Sequence, residues 1–272
     1  MSSPQRADPA SASALTIRRV SLGRPLRWLD AGVRDLLASP GPSLAHGVAM
    51  VLGSLVILVA GWRQLPLMAG AFTGFLLVAP ILAAGLYEIS RLRERGVTPT
   101  LGDALAVWRR AGRTPLVLGV LLAMAGTAWV GLSIVTLSAM TPESPQGLAS
   151  FFRVAVFRAA DSTERAHLFW LWLTAGGLLA ALVFAAAAVS VPLVVDREIG
   201  VREALLASVE AVALNPAPML MWAALIAAST AIGIVTAIGL VLVLPVLGHA
   251  TWHAYVDLVD ASRLAPRDTG AG

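Results

Sequence analysis

The sequence predicts an all-α, polytopic membrane protein. It reads as six transmembrane helices in three hairpins, with amphipathic interfacial helices on the cytoplasmic side and both termini cytoplasmic. Three observations carry this. The chain is 57% hydrophobic and only 13% charged, where soluble domains carry about 25% charged residues. Apolar stretches close to the roughly 20 residues that a bilayer core of about 30 Å requires occur six times. Arginine concentrates in alternate connectors, as the positive-inside rule demands.

The elements follow in chain order. Residues 1–19 are small, polar and Pro-containing at their start, with little to bury, and read as a disordered tail. No apolar run begins there, so a cleaved signal is not expected. Residues 24–38 space Leu26, Leu29, Val33 and Leu36/Leu37 at helical intervals, the pattern of an interfacial helix with Trp28 at the headgroups. The spans run over 44–62, 65–89, 116–140 and 168–195. A long uncharged run from Met219 to Leu258 divides into two at a turn near Thr236–Gly239. Between spans three and four, Leu148, Phe151, Phe152, Ala155 and Ala159 share one face of a short external helix. Asp161 and Glu164 then read as the N-cap and reciprocal acid of span four, and Trp170 and Trp172 as its aromatic belt. Residues 20–260 thus form one membrane domain, and 261–272 a short polar tail.

Orientation follows from the arginines. All twenty basic residues are arginine, sixteen in the N-terminal, even-numbered and C-terminal connectors and four in the others. Six spans with both ends cytoplasmic satisfy this count.

Self-similarity organises the domain further. Ser39-Pro40, Thr114-Pro115 and Asn215-Pro216 each join an amphipathic stretch to a membrane helix, with a favoured capping residue followed by proline. The segment from Gly74 to Pro80 aligns with that from Gly239 to Pro245 without a gap, and Val191-Pro192 is the weaker middle copy. Pro40, Pro80, Pro115, Pro192, Pro216 and Pro245 are therefore structural positions. Small residues at four-residue spacing, Gly119/Ala123/Thr127/Gly131 and Ala223/Ala227/Ala231, read as helix-packing faces.

Composition excludes much chemistry. The chain has no cysteine and no lysine, hence no disulfide, thiolate, Schiff base or P-loop lysine. No ionisable residue falls near the middle of a span, whereas coupled carriers usually place one there. The candidates cluster at the cytoplasmic ends. His249, His253 and Asp257 recur at i+4 on the sixth helix, with His46 and Glu88 at the same depth. Two such histidines with a carboxylate have the spacing of a metal site (His249, His253, Asp257, Glu88), and His46, His249 and His253 could ligate haem iron. An interfacial polar layer anchored by Trp252 and Tyr255 is the more economical reading, and no cofactor is expected. Trp108, Arg109, Arg110 and Arg113 form a basic edge that an orientation signal explains sufficiently.

Several motifs resemble a bacterial family of integral membrane proteins defined only as a domain of unknown function. They are Arg18-Arg19-Val20-Ser21-Leu22, the Trp28–Asp35 helix with Ser39-Pro40-Gly41-Pro42-Ser43, Pro80 with Gly85-Leu86-Tyr87-Glu88, Asp196-Arg197-Glu198, Asn215-Pro216, and Pro245 with Gly248-His249-Ala250-Thr251-Trp252. Some members carry a cytochrome c oxidase label, but the chain lacks the mid-membrane histidines of a haem–copper core. The expectation is a non-enzymatic accessory or interaction protein of the bacterial inner membrane. Its partners are the bilayer and another membrane complex or a second copy, not nucleic acid. The alternatives are permeation or lipid handling at the Pro80/Pro245 breaks, and metal or haem binding at His249/His253/His46.

Overall fold

The computed structural model describes residues 15–60, 65–110, 112–140, 163–236 and 239–267. Among these are eleven helices: α1 (Arg24–Ala38), α2 (Pro40–Ala60), α3 (Leu65–Leu82), α4 (Ala84–Glu94), α5 (Leu101–Arg110), α6 (Arg113–Met140), α7 (Thr163–Ala187), α8 (Ser190–Asp196), α9 (Val201–Leu214), α10 (Pro216–Thr236) and α11 (Gly239–Leu258). Six segments are long and apolar enough to cross a membrane: 40–57, 73–94, 113–139, 166–196, 216–236 and 239–258. The chain is an all-α polytopic membrane protein. The external helix around Phe151, and Asp161 with the Glu164 side chain, fall outside the described residues, as do the side chains of Trp108, Arg109 and Arg110.

Two spans are interrupted. Span two breaks at Ala83, three residues after Pro80, and span four breaks at 188–189, just before Pro192. Pro245 does not break its helix; α11 runs through it, and Pro245 is buried with Gly47 of α2 packed against it. The expected pair of equivalent breaks is therefore one break at Pro80 and a continuous helix at Pro245. The orphan backbone groups at the two real breaks are satisfied by side chains from neighbouring helices, the requirement for irregular backbone at membrane depth. His46 Nε2 donates to the Leu82 carbonyl at 2.8 Å, and the Val189 amide donates to Ser208 Oγ at 3.1 Å.

The junction prolines fare differently. Pro40 and Pro216 open α2 and α10, but α6 begins at Arg113, so Pro115 lies within its first turn. Nor does Asn215 use its side chain as a cap. Asn215 accepts from the Val20 amide at 2.8 Å and donates to the carbonyls of Arg18 and Ala211, both at 3.0 Å. It thereby fastens the N-terminal segment to the bundle, and the expected tail 1–19 ends in structure. Thr16–Ile17 (β1) pair antiparallel with Val259–Asp260 (β2). Beyond β2, Arg267 N donates to the Asp196 carbonyl and Glu198 N to that of Ala265, so residues 261–267 pack back on the domain.

The two helices of each expected hairpin touch, but the most extensive pairings lie elsewhere, α3 with α6 and α1 with α11. At the first crossing Gly74 and Gly126 face each other so closely that a Cβ on either would lie 3.0 Å from the other's carbonyl oxygen. Close approach of this kind lets dispersion hold helices together where lipid provides no hydrophobic drive. The packing face of α6 is thus Leu122, Gly126 and Ser133, one residue removed from the expected stripe, whose Ala123, Thr127 and Gly131 are exposed.

Burial is concentrated where the charged groups lie. The ends of α4, α8 and α11 converge with α1 and α9 around Leu86, Ile89, Leu193, Val194, Trp222, Ala250 and Leu258. Along the spans, large side chains such as Val135 and Val235 are left open, at 71% and 86% exposure. Water-facing ends must bury apolar surface to gain free energy, whereas lipid-facing flanks need not.

Candidate functional site

The candidate site begins on one face of α11. His249, His253 and Asp257 project from it at successive turns, as the spacing predicts, and meet α1 running antiparallel. Between these rungs the backbones nearly touch: a Cβ on Gly32 would lie 2.5 Å from the Val246 carbonyl oxygen, so only glycine fits. Asp257 takes Arg24 through two side-chain hydrogen bonds, and the indole of Trp28 at 2.8 Å. Trp28 is consequently buried, edge-on to Trp222 at 5.9 Å, and not at a headgroup surface. The outward face of α1 carries Leu26, Val33 and Leu37 instead. Trp252 and Tyr255 are likewise buried rather than belt residues.

The other two rungs form a chain of hydrogen bonds through four helices. Ser43 of α2 lies 2.9 Å from His249 Nε2, and His249 Nδ1 lies 2.8 Å from Ser90 Oγ of α4. Ser90 donates to Asp35 Oδ2 of α1 at 2.6 Å, and the same oxygen accepts from His253 Nε2 at 2.9 Å. His253 Nδ1 then faces Glu94 at 3.6 Å, and Arg93 Nε reaches Asp35 Oδ1 at 3.1 Å. Because Ser90 uses its proton on the carboxylate, it accepts from His249 Nδ1–H, which leaves Nε2 to accept from Ser43. Burial acts to raise the Asp35 carboxyl, but hydrogen bonds from His253 and Ser90 and the nearby histidine charge outweigh it. The result is a carboxyl held down at about 2.

A second knot lies beside the first. Glu88 and Arg91, both buried on α4, form a two-pronged ion pair at 2.8 and 2.9 Å. Asp196 at the end of α8 accepts from Arg197 Nε at 2.9 Å and the Tyr255 hydroxyl at 2.8 Å, while Arg95 and Arg91 stand off at 3.8 and 4.0 Å. Three helix ends therefore contribute to this knot: α4, α8 and α11.

The sequence candidates are brought close but not around a common point. His46 is engaged with the Leu82 carbonyl, His249 with two serines, His253 with Asp35, Glu88 with Arg91 and Asp257 with Arg24. Among the described residues no three His, Asp or Glu side chains stand where they could share a metal ion. A histidine could ligate a metal or haem here only by giving up one of these bonds. The groups that sequence reasoning missed are Asp35, Ser43, Ser90, Arg91 and Asp196. Of these, Arg91 left a signal as the i, i+3 partner of Glu88, and Asp35, Ser43 and Asp196 fell within the motifs of the family resemblance without a role attached.

Two cavities accompany these elements. A groove of about 240 Å³ between α6 and α7 is lined by Leu121, Leu122, Leu182, Val183 and Ala186. A polar cavity of about 260 Å³ lies among Arg91, Arg95, Asp196, Trp252 and the terminal strands. Neither is lined by Pro80 or Pro245.

Residues 67–196 match the model of a family described as predicted integral membrane protein (DUF2189). This agrees with the resemblance drawn from the motifs and adds nothing to the cytochrome c oxidase label. The matched segment includes Glu88, Arg91 and Asp196 but not the His249 face. No curated protein and no solved structure matches the chain.

Proposed function

We propose that the protein is a non-enzymatic accessory or interaction component of the bacterial cytoplasmic membrane, built as three hairpins with both ends in the cytoplasm. The observation that carries this is the engagement of each group that sequence analysis marked as a candidate for chemistry. Each histidine and carboxylate singled out for reactivity is engaged: His249, His253 and Asp257 in bonds that tie one helix to another, His46 at a backbone break, and Glu88 with Arg91 on its own helix. Groups held this way position helices and leave no unengaged nucleophile or base for catalysis. The surface available for association is the small-residue face of α6, where Ala123, Thr127 and Gly131 are exposed and nothing lies within 4 Å of a Cβ on Gly131. Such faces admit a second helix closely in lipid.

The absence of native cysteine makes the test clean. Thr127→Cys, crosslinked in intact membranes before extraction, is expected to yield an adduct with a second copy or another membrane protein. Recovery of the uncrosslinked monomer alone would overturn the reading. Metal or haem binding is tested on the same preparation. Elemental analysis and an optical spectrum should show no stoichiometric cofactor, and one that disappears in His249→Ala would reverse this conclusion. Lipid handling at the Pro80/Pro245 positions draws no support from either cavity, since neither is lined by those prolines.

A further inference from the structure

The polar cavity beside the ends of α4, α8 and α11 contains donors that are only loosely engaged among the described residues. Its acceptors are engaged. Asp260 takes Arg18 at 2.9 Å and the Ser262 amide at 3.1 Å, Asp196 takes Arg197 and Tyr255, and Glu94 faces His253. The donors are held more loosely. Arg95 reaches Asp196 only to 3.8 Å, beyond hydrogen-bond distance, with its side chain 43% exposed. Arg91 Nη1 stands 3.5 Å from the Arg267 carbonyl and 4.0 Å from Asp196. Trp252 Nε1 is buried and makes no well-formed hydrogen bond, with the Glu94 carboxylate beside it. A buried N–H of this kind calls for an acceptor. Four arginines (Arg18, Arg91, Arg95, Arg197) line the cavity against three carboxylates (Glu94, Asp196, Asp260), and the Glu88 carboxylate that holds Arg91 from behind brings the local charges to balance.

We propose that this cavity binds a phosphate-type oxyanion, whose oxygens accept from the Arg95 guanidinium and Trp252 Nε1. Only acceptors are wanted, and a guanidinium fork matches a tetrahedral oxyanion in shape and charge. At about 260 Å³ the cavity is smaller than pockets for drug-sized ligands, so it takes a small group. Its walls include Glu94 and Asp196, the residues at which two spans end, and its depth is the bilayer rim. A phosphate reaches that level either as a free ester from water or as the headgroup of an anionic lipid. The site is independent of the accessory role proposed above.

The experiment uses the full chain in phosphatidylcholine nanodiscs. One arm titrates inorganic phosphate by calorimetry. The other compares lipid retained in native mass spectra with and without phosphatidic acid in the discs. Saturable binding is expected in at least one arm, phosphate alone pointing to a soluble ester and phosphatidic acid alone to a headgroup. Loss of one charge-assisted donor in Arg95→Gln should weaken it about tenfold or more while leaving the melting temperature of the unliganded protein unchanged. Trp252→Phe should weaken it in the same arm. No saturable binding in either arm, or binding by Arg95→Gln as tight as by the parent, overturns the proposal.

Discussion

Asp35 holds three helices in register by being charged. Its oxygens accept from Ser90 and Arg93 of α4 and from His253 of α11. With its folded pKa depressed to about 2, the carboxylate contributes stability that is fully present above the unfolded value near 4. That stability is lost as pH falls through the folded value. The contribution is about 2 kcal/mol. Melting temperatures in detergent should therefore drop between about pH 4 and 2, and Asp35→Asn should flatten that stretch of the curve; an unaltered profile in the variant would disprove the assignment. At the neighbouring rung, Gly32→Ala would drive a methyl into the Val246 carbonyl, an overpacking cost of about 1–3 kcal/mol. The sequence placed His249, His253 and Asp257 on one face because i+4 spacing is local geometry. It could not name Asp35, Ser43 or Ser90 as their partners, since those lie some two hundred residues away and nothing local encodes that pairing. Trp28 was misread for the same reason: an aromatic beside a span suits a headgroup belt as well as a buried contact.

At the scale of the element, an interrupted membrane helix survives only if its freed backbone groups find partners. Ser208→Ala would leave the Val189 amide unpaired among fully buried neighbours, which costs about 1–3 kcal/mol. Ser54 is the control. Among the described residues its hydroxyl bonds the Met50 carbonyl one turn back in its own helix, a contact of little net worth. Ser54→Ala should therefore melt within a degree or two of the parent and Ser208→Ala well below it. Equal melting temperatures would mean that Ser208 does not support the break. The prolines were legible, but the breaks were not. Pro80 is followed by one and Pro245 is not, because whether a helix parts depends on a side chain such as His46 waiting to take the carbonyl. The capping residues show the same limit: Asn215 has the right type for an N-cap, yet tertiary bonds to Arg18 and Val20 claim its side chain.

Over the whole molecule, three second helices bring their ends to one place and the knot there fixes their relation. The order of a short helix followed by two spans, repeated three times, was readable from periodicity. The dominance of α3–α6 and α1–α11 over contacts within hairpins was not, because a repeat specifies units and not how units dock. Glu88 and Arg91 sit within this convergence at 2% and 1% exposure, where an uncompensated charge is expensive while a matched apolar pair is tolerated. Arg91→Met leaves Glu88 buried and unpaired and should cost about 3–5 kcal/mol. Adding Glu88→Met should return most of that loss, since the two methionines fill similar volume without charge. Thermal unfolding of the single and double variants in one detergent measures the difference. If the double variant is no more stable than the single, Arg91 acts through its other contacts, with Asp196 and the Arg267 carbonyl, and the three helix ends are held together by those instead.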